Sequence, residues 1–222
     1  MALFEDRHDA GRRLAAALSE YRGTDALILA LPRGGVVVGY EVATALGLPL
    51  EVFISRKIGA PDNPELAIGA VAEVDGVWED RDAMRFLGVT DQYLREEVDR
   101  QREEIRRRVV LYRAGRSLPS LSGRTAIVVD DGIATGYTML AALKGIRTQQ
   151  PGTLVVAVPV APQESLSAVS KEADRVVCLA SPEPFYAVGL HYEGFLQVTD
   201  QEVVDYLNLA RQKARPRKPR AA

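Results

Sequence analysis

"AIVVDDGIATGYT", Ala126 to Thr138, is the stretch on which the reading of this chain turns. Its apolar residues suit a buried strand and run directly into two adjacent aspartates, Asp130 and Asp131, and then into small residues, threonines and glycines. A short apolar run bounded in this way reads as a strand buried on both faces. The loop from Gly132 to Thr138 reads as turning into a helix. The first amides of a helix have no partner inside it, and with the helix dipole they make an anion site. Two carboxylates beside such a site cannot face the same anion. They need a partner that donates hydrogen bonds, and the 2′- and 3′-hydroxyls of a ribose are natural ones. Two carboxylates beside a pyrophosphate also suit Mg²⁺, a cation of hard oxygen ligands. A ribose 5-phosphate satisfies both halves of the motif. The alternative is structural: a strand ending in a capped helix, with Asp130 and Asp131 as turn residues.

Outward from this stretch, apolar strand patterns alternate with amphipathic helix patterns. Asp25–Pro32, Pro49–Ser55, Arg124–Asp130, Thr153–Val160 and Arg175–Ala180 read as strands. "GVVVGYEVATALGL", closed by Gly47, Tyr137–Gln149 and Gln163–Ala173 read as helices. The alternation predicts an α/β fold: a doubly wound, mainly parallel sheet with helices on both faces. Ligands of such sheets bind at the C-terminal ends of the strands, where Asp130 and Asp131 fall. Two regions break the rhythm. Arg56–Asp80, rich in glycine and proline, reads as a long loop flanked by a hairpin-like pair near Ala67–Val74 and Val77–Trp78. Asp91–Arg113 reads as one long helix with an apolar stripe of Leu94, Val98, Ile105, Val109 and Tyr112. That stripe is either packed on the chain's own body or the seam of a homodimer.

The chain has 222 residues, 47% hydrophobic and 26% charged, which suits one good-sized core. No apolar run reaches the ~20 residues of a membrane helix, and the N-terminus lacks the apolar core of a signal peptide. The lone Cys178 sits in an apolar run and cannot form an internal disulfide, so a cytoplasmic setting fits. The net charge of −2 hides an asymmetry: Arg211–Ala222 holds six bases and no acid, leaving 22 basic against 30 acidic residues before it. An acidic body argues against a nucleic-acid groove. We therefore divide the chain into a single domain over 1–210 and a basic, disordered tail over 211–222, the one segment suited to reach nucleic acid.

The Ala126–Thr138 stretch also resembles the phosphoribosyl pyrophosphate (PRPP) signature of type I phosphoribosyltransferases: an apolar strand, two acids, then a small-Thr-Gly-x-Thr loop. Together with "LPRGGV", "RKIGAPDNPELAIGAV" and "PEPFYAVGLHY" it resembles a branch usually labelled only "predicted phosphoribosyltransferase", over about Phe4 to Leu207. The resemblance implies a pentosyltransferase that uses PRPP and Mg²⁺ and releases pyrophosphate. It places Asp130 and Asp131 at the ribose hydroxyls, with Mg²⁺ held directly or through ribose and water. It places Gly132 and Ala134, Thr135, Gly136, Tyr137 and Thr138 around the 5′-phosphate. Arg33, Gly34 and Gly35 fall in the pyrophosphate loop, where a non-proline cis peptide is expected near Arg33–Gly34. Arg56 and Lys57 fall in the mobile loop, poised for departing pyrophosphate, with Gly59–Asn63 closing over the site.

The implied hood over the acceptor is about 181–198, whose aromatics Phe185, Tyr186 and Tyr192 either sandwich a planar base or pack the hood. His191 reads as a surface or hydrogen-bonded residue more than an acid–base group. Where the hypoxanthine–guanine type carries an aspartate before the Thr-Gly pair, this chain has Ala134, which exchanges no proton. The acceptor stays open, a nitrogenous base being the expectation. Two other readings stay beside this one: a PRPP- or nucleotide-binding regulator without catalysis, and a hydrolase of ribose 5-phosphate esters.

Overall fold

The computed structural model describes residues 2–214. Five strands form a wholly parallel sheet: β1 (Leu27–Ala30), β2 (Leu50–Val52), β6 (Thr125–Val129), β7 (Thr153–Val160) and β8 (Arg175–Ala180). Their order is β2-β1-β6-β7-β8. The chain thus leaves β1 toward one edge and returns on the other side of it, which makes the gap between β1 and β6 the switch point where loops diverge and ligands bind. In register, Ile28 lies beside Ile127 and Ala30 beside Val129. All four residues of β1 are buried, the expected state of a strand covered on both faces.

Side chains alternate between two cores. Ile28, Ile127, Val129 and Val155 pack with α1 (Arg7–Ala17), α2 (Gly35–Leu46), α4 (Asp91–Arg113) and α7 (Asp200–Ala214). Leu27, Leu29, Val128 and Val156 pack on the other face, chiefly with α5 (Tyr137–Thr148) and with Val169 of α6 (Gln163–Val169). Gly47 closes α2 in the left-handed region at φ 70°, as expected of a helix-terminating glycine.

Arg56–Asp80 is not a long loop. It folds into an antiparallel sheet of β3 (Ser55–Ala60), β4 (Asn63–Ala72) and β5 (Val77–Glu79), followed by the short helix α3 (Arg81–Phe86). The glycines that read as loop signals mark close strand approaches. A Cβ on Gly59 would meet the backbone of Pro64 at 2.5 Å, where the register shifts. The stripe on α4 is turned inward: Leu94, Val98, Ile105 and Tyr112 are buried in the chain's own core, and Val109 packs against it partly buried.

The helix α7 runs into the segment expected to be tail. Arg211–Ala214 belong to α7, where Arg211 Nη2 stands 3.3 Å from Glu51 Oε2. The rest of the expected tail, 215–222, lies outside the described residues. No helix among the described residues is long and apolar enough to cross a membrane.

Candidate active site

The switch point brings together two motifs that lie far apart in sequence. Leu31 N donates to Val129 O at 2.9 Å, so the segment after β1 lies alongside the end of β6. The non-proline cis peptide is Pro32–Arg33, one bond earlier than expected. Gly34 and Gly35 then pass so close to the acids that side chains would not fit. A Cβ on Gly34 would meet Asp131 Cγ at 2.6 Å and Arg7 Nε at 2.8 Å, and one on Gly35 would meet Asp130 Cα at 2.9 Å. The glycines therefore serve the close approach of one loop to the other.

Asp130 accepts a hydrogen bond from Asp131 N at 2.8 Å through Oδ1. Its carboxyl is held well above the usual aspartate range, first by burial and then by the charge of Asp131. The Asp131 carboxyl is raised too, by burial, against the opposing pull of Arg7. Arg7 Nε donates to Asp131 Oδ2 at 2.7 Å, its Nη1 donates to Leu196 O at 2.7 Å, and its guanidinium lies 3.8 Å over the Phe195 ring. Arg7 was missed by sequence reasoning. Its one signal was a base in an N-terminal helix, which nothing in sequence connects to a motif more than a hundred residues away.

The two acids are short of positive charge. Among the described residues no group of three or more His, Cys, Asp or Glu is placed to hold a metal. Two carboxylates without a cage match the habit of Mg²⁺, which keeps waters and takes substrate oxygens to complete its shell.

Beyond the acids, Gly132 is packed by Val188, and Gly136 turns the chain at φ 81°, a left-handed conformation that favours glycine. α5 starts at the next residue. The amides of Ala134 to Thr138 have no hydrogen-bond partner among the described residues, as in the first turn of a helix. Ser165 Oγ donates to Ala134 O and braces the loop from α6.

Two cavities flank this loop. One, of about 610 Å³, lies between the β3–β4 hairpin and α4, and is lined by Arg56, Lys57, Arg100, Arg108 and, at its inner end, Pro32 and Thr138. Arg56 Nε donates to Gln101 Oε1, and burial followed by repulsion from Arg108 lowers its pKa. Tyr93 Oη donates to Gly59 O at 3.0 Å and ties the hairpin turn to α4. Arg33 is not brought to this cavity; its Nη1 stands 3.7 Å from Asp200 Oδ1 on α7. Arg100 and Arg108 were not foreseen as site residues, because on a helix so rich in charge they read as a solvated face.

The other cavity, of about 500 Å³, is lined by Trp78, Asp80, Ala134, Thr135, Glu164 and the hood residues Phe185 and Tyr186. The Tyr137 ring stacks on Trp78 at 4.2 Å, and its hydroxyl donates to Asp80. Tyr192, expected here, is instead buried 5.3 Å from Phe4, with its hydroxyl donating to Asp131 O. It packs the hood and steadies the acid pair, because its ring is needed to join the N-terminus to the hood. The His191 ring stacks on Phe185 at 4.9 Å, and its carbonyl accepts from Leu3 and Phe4 amides. Burial lowers the His191 pKa.

The fold and site thus define a doubly wound α/β protein whose switch point joins a glycine-rich loop, an acid pair and the unpartnered amides at the start of α5. The profile of the phosphoribosyl transferase domain family matches residues 4–193, and the chain belongs to that family, with its type I fold. A Mycobacterium tuberculosis protein named "Putative phosphoribosyl transferase Rv0571c" is 45% identical over 211 residues, covering 95% of this chain and 47% of that protein. The chain therefore spans about half the length of the curated relatives it matches. The crystal structure of TT1426 from Thermus thermophilus is 44% identical, with a TM-score of 0.77 over 93% of this chain and 98% of that one. A protein from Aquifex aeolicus, AQ2163, shares the fold alone, at 11% identity and a TM-score of 0.51 over 90% and 84% of the two chains.

Proposed function

We propose that this chain is a phosphoribosyltransferase, moving the 5-phosphoribosyl group of PRPP to a nitrogen of an acceptor and releasing pyrophosphate. The observation that carries the reading is the meeting of Gly34 and Gly35 with Asp130 and Asp131 beside the Ala134–Thr138 cradle. That arrangement serves a ligand with a phosphate at one end and sugar hydroxyls at the other. The C1–O bond to pyrophosphate breaks with its electron pair leaving on oxygen, and the acceptor nitrogen forms the new bond to C1. The acceptor's displaced proton passes to solvent, since Ala134 offers no base.

The transition state has oxocarbenium character, as in glycoside hydrolysis. Asp130 and Asp131 accept hydrogen bonds from the ribose hydroxyls, and their charge offsets the positive charge developing on the ring. Amides 134–138, with the Thr135 and Thr138 hydroxyls, hold the 5′-phosphate and so fix C1 in place. Arg56 and Lys57, with Arg100 and Arg108 behind them, give the leaving pyrophosphate a cationic cavity. Arg33, at the edge of its loop, reaches the same group by exchanging Asp200 for it. Mg²⁺, when bound, would sit on Asp130 and Asp131 directly or through ribose and water, and supplies charge neutralisation to the pyrophosphate. The Gly59–Asn63 turn is the part of the hairpin suited to close over the site and exclude water.

The test is calorimetry of PRPP with Mg²⁺. The Asp130→Asn/Asp131→Asn protein should bind at least ten times more weakly than the parent, since charge-assisted hydrogen bonds are worth about 1.5–3 kcal/mol each. Unchanged affinity in the double variant would falsify the assignment.

A further inference from the structure

The two cavities beside the phosphate loop carry opposite charge. The one by α4 is lined by Arg56, Lys57, Arg100 and Arg108, with Glu97 as its one acid among the described residues. The one by the hood is lined by Asp80 and Glu164 and, among the described residues, by no lysine or arginine. We propose that the acceptor is a planar heterocycle presenting hydrogen-bond donors, an amino-substituted neutral or cationic ring, and not a ring bearing a carboxylate. This rests on the transferase reading, because it takes the hood cavity as the acceptor side.

The walls supply planes. Trp78 and Tyr137 stack on one another, and Phe185 and Tyr186 come from the hood. Aromatic walls hold a flat ring by stacking and area without selecting its polar edge. Selection falls to the polar groups, and the charged ones among them, Asp80 and Glu164, are both acceptors. The Tyr137 hydroxyl proton is committed to Asp80, and the Ser165 hydroxyl proton to Ala134 O. Asp80 stays a carboxylate. Burial pushes the other way, but the Ala83 amide and the Tyr137 hydroxyl hold its carboxyl below the usual range. Of the roughly four acceptor sites of a carboxylate, the Ala83 and Asp82 amides and the Tyr137 hydroxyl leave one for a ligand. Glu164, in the first turn of α6, is exposed and has no ion-pair partner among the described residues. A ring N–H or exocyclic amino group meets two acceptors here. A carboxylate meets two like charges and no cation, which discriminates by repulsion.

Trp78 is the chain's single tryptophan, so its fluorescence reports on this cavity without any turnover. The full chain is titrated with adenine and with orotate as probes, each with and without ribose 5-phosphate and Mg²⁺. Adenine should quench, with orotate at least ten times weaker. Glu164→Gln, an exposed change, should narrow that preference several-fold, whereas Phe185→Ala should weaken both probes. Orotate binding as tightly as adenine overturns the inference, as does an absence of quenching by either probe. The calorimetric PRPP titration, run alongside, keeps the two readings apart: PRPP binding without a preference between probes sinks this inference alone. Loss of PRPP binding in the parent chain sinks the transferase reading itself.

Discussion

Asp130 is half-buried against a second carboxylate, and that placement costs the folded state stability. Because its folded pKa is raised, the folded chain keeps a proton over a range where the unfolded chain has lost it. Stability therefore falls as pH rises from the ordinary aspartate value of about 3.9 through the raised one. Asp130→Asn keeps the Oδ1 that accepts from Asp131 N and removes the charge. This variant should melt higher than the parent near neutral pH, by about 2–4 °C for each kcal/mol recovered. The gain should vanish below about pH 4, where the parent's carboxyl is neutral in both states. Thermal melts at the two pH values check this, and an equal or lower melting temperature at neutral pH contradicts it. Such a trade, stability given up at the residues that would hold the ligand, fits a site more than a turn. Asp130, Asp131 and the cradle were legible because they are contiguous. Arg7 and Tyr192 were not, since each reaches Asp131 from an opposite end of the chain.

At the scale of elements, the long helix was the easiest to read and the small sheet the hardest. The predicted bounds of α4, Asp91 and Arg113, are those observed, because twenty-odd residues of helical periodicity between a Thr90 cap and Ala114–Gly115 leave little choice. The β3–β4 hairpin was hidden by glycine and proline, which signal loops locally but here serve cross-strand contact. What joins the two elements is a buried ion cluster that the sequence pattern disguised as one more charge on a charged helix. Arg113 donates through Nη1 and Nη2 to Glu73 at 2.7 and 2.6 Å, and through Nη2 to Val52 O at 2.6 Å. Its Nε stands 3.9 Å from Glu51. Arg113→Met leaves Glu73 buried without its cation, while Glu51 keeps Arg211, a loss of about 3–5 kcal/mol. Urea unfolding should show a lower midpoint at an unchanged slope. A midpoint equal to the parent's would mean that the cluster contributes nothing net.

For the whole molecule, alternation of strands and helices was enough to assign the fold class, but not the strand order. The order creates the site: with β1 beside β6, loops nearly a hundred residues apart come to share one cleft. Nor could alternation show that the cleft has two flanks of opposite charge, since one flank draws its cations from β3 and α4 and the other its acids from the starts of α3 and α6. On the cationic flank the existing carboxylates are already shared among several bases. Glu104 takes hydrogen bonds from Arg107 and Arg108, which pull its pKa to about 2, and lies 3.9 Å from Arg56 as well. Glu97 accepts from Arg100 and Gln101. Lys57 has no ion pair among the described residues. A polyanion entering there relieves the repulsion between Arg56 and Arg108. Calorimetric titration with inorganic pyrophosphate should therefore show binding that Arg100→Gln/Arg108→Gln weakens about tenfold. Raising the salt from about 0.1 M to 1 M, which shortens the Debye length from about 10 to 3 Å, should weaken it further. Adenine, being neutral, should bind the hood flank with nearly the same affinity at both salt concentrations. Pyrophosphate affinity indifferent to both the substitutions and the salt would place its binding elsewhere and deprive α4 of its part in the site.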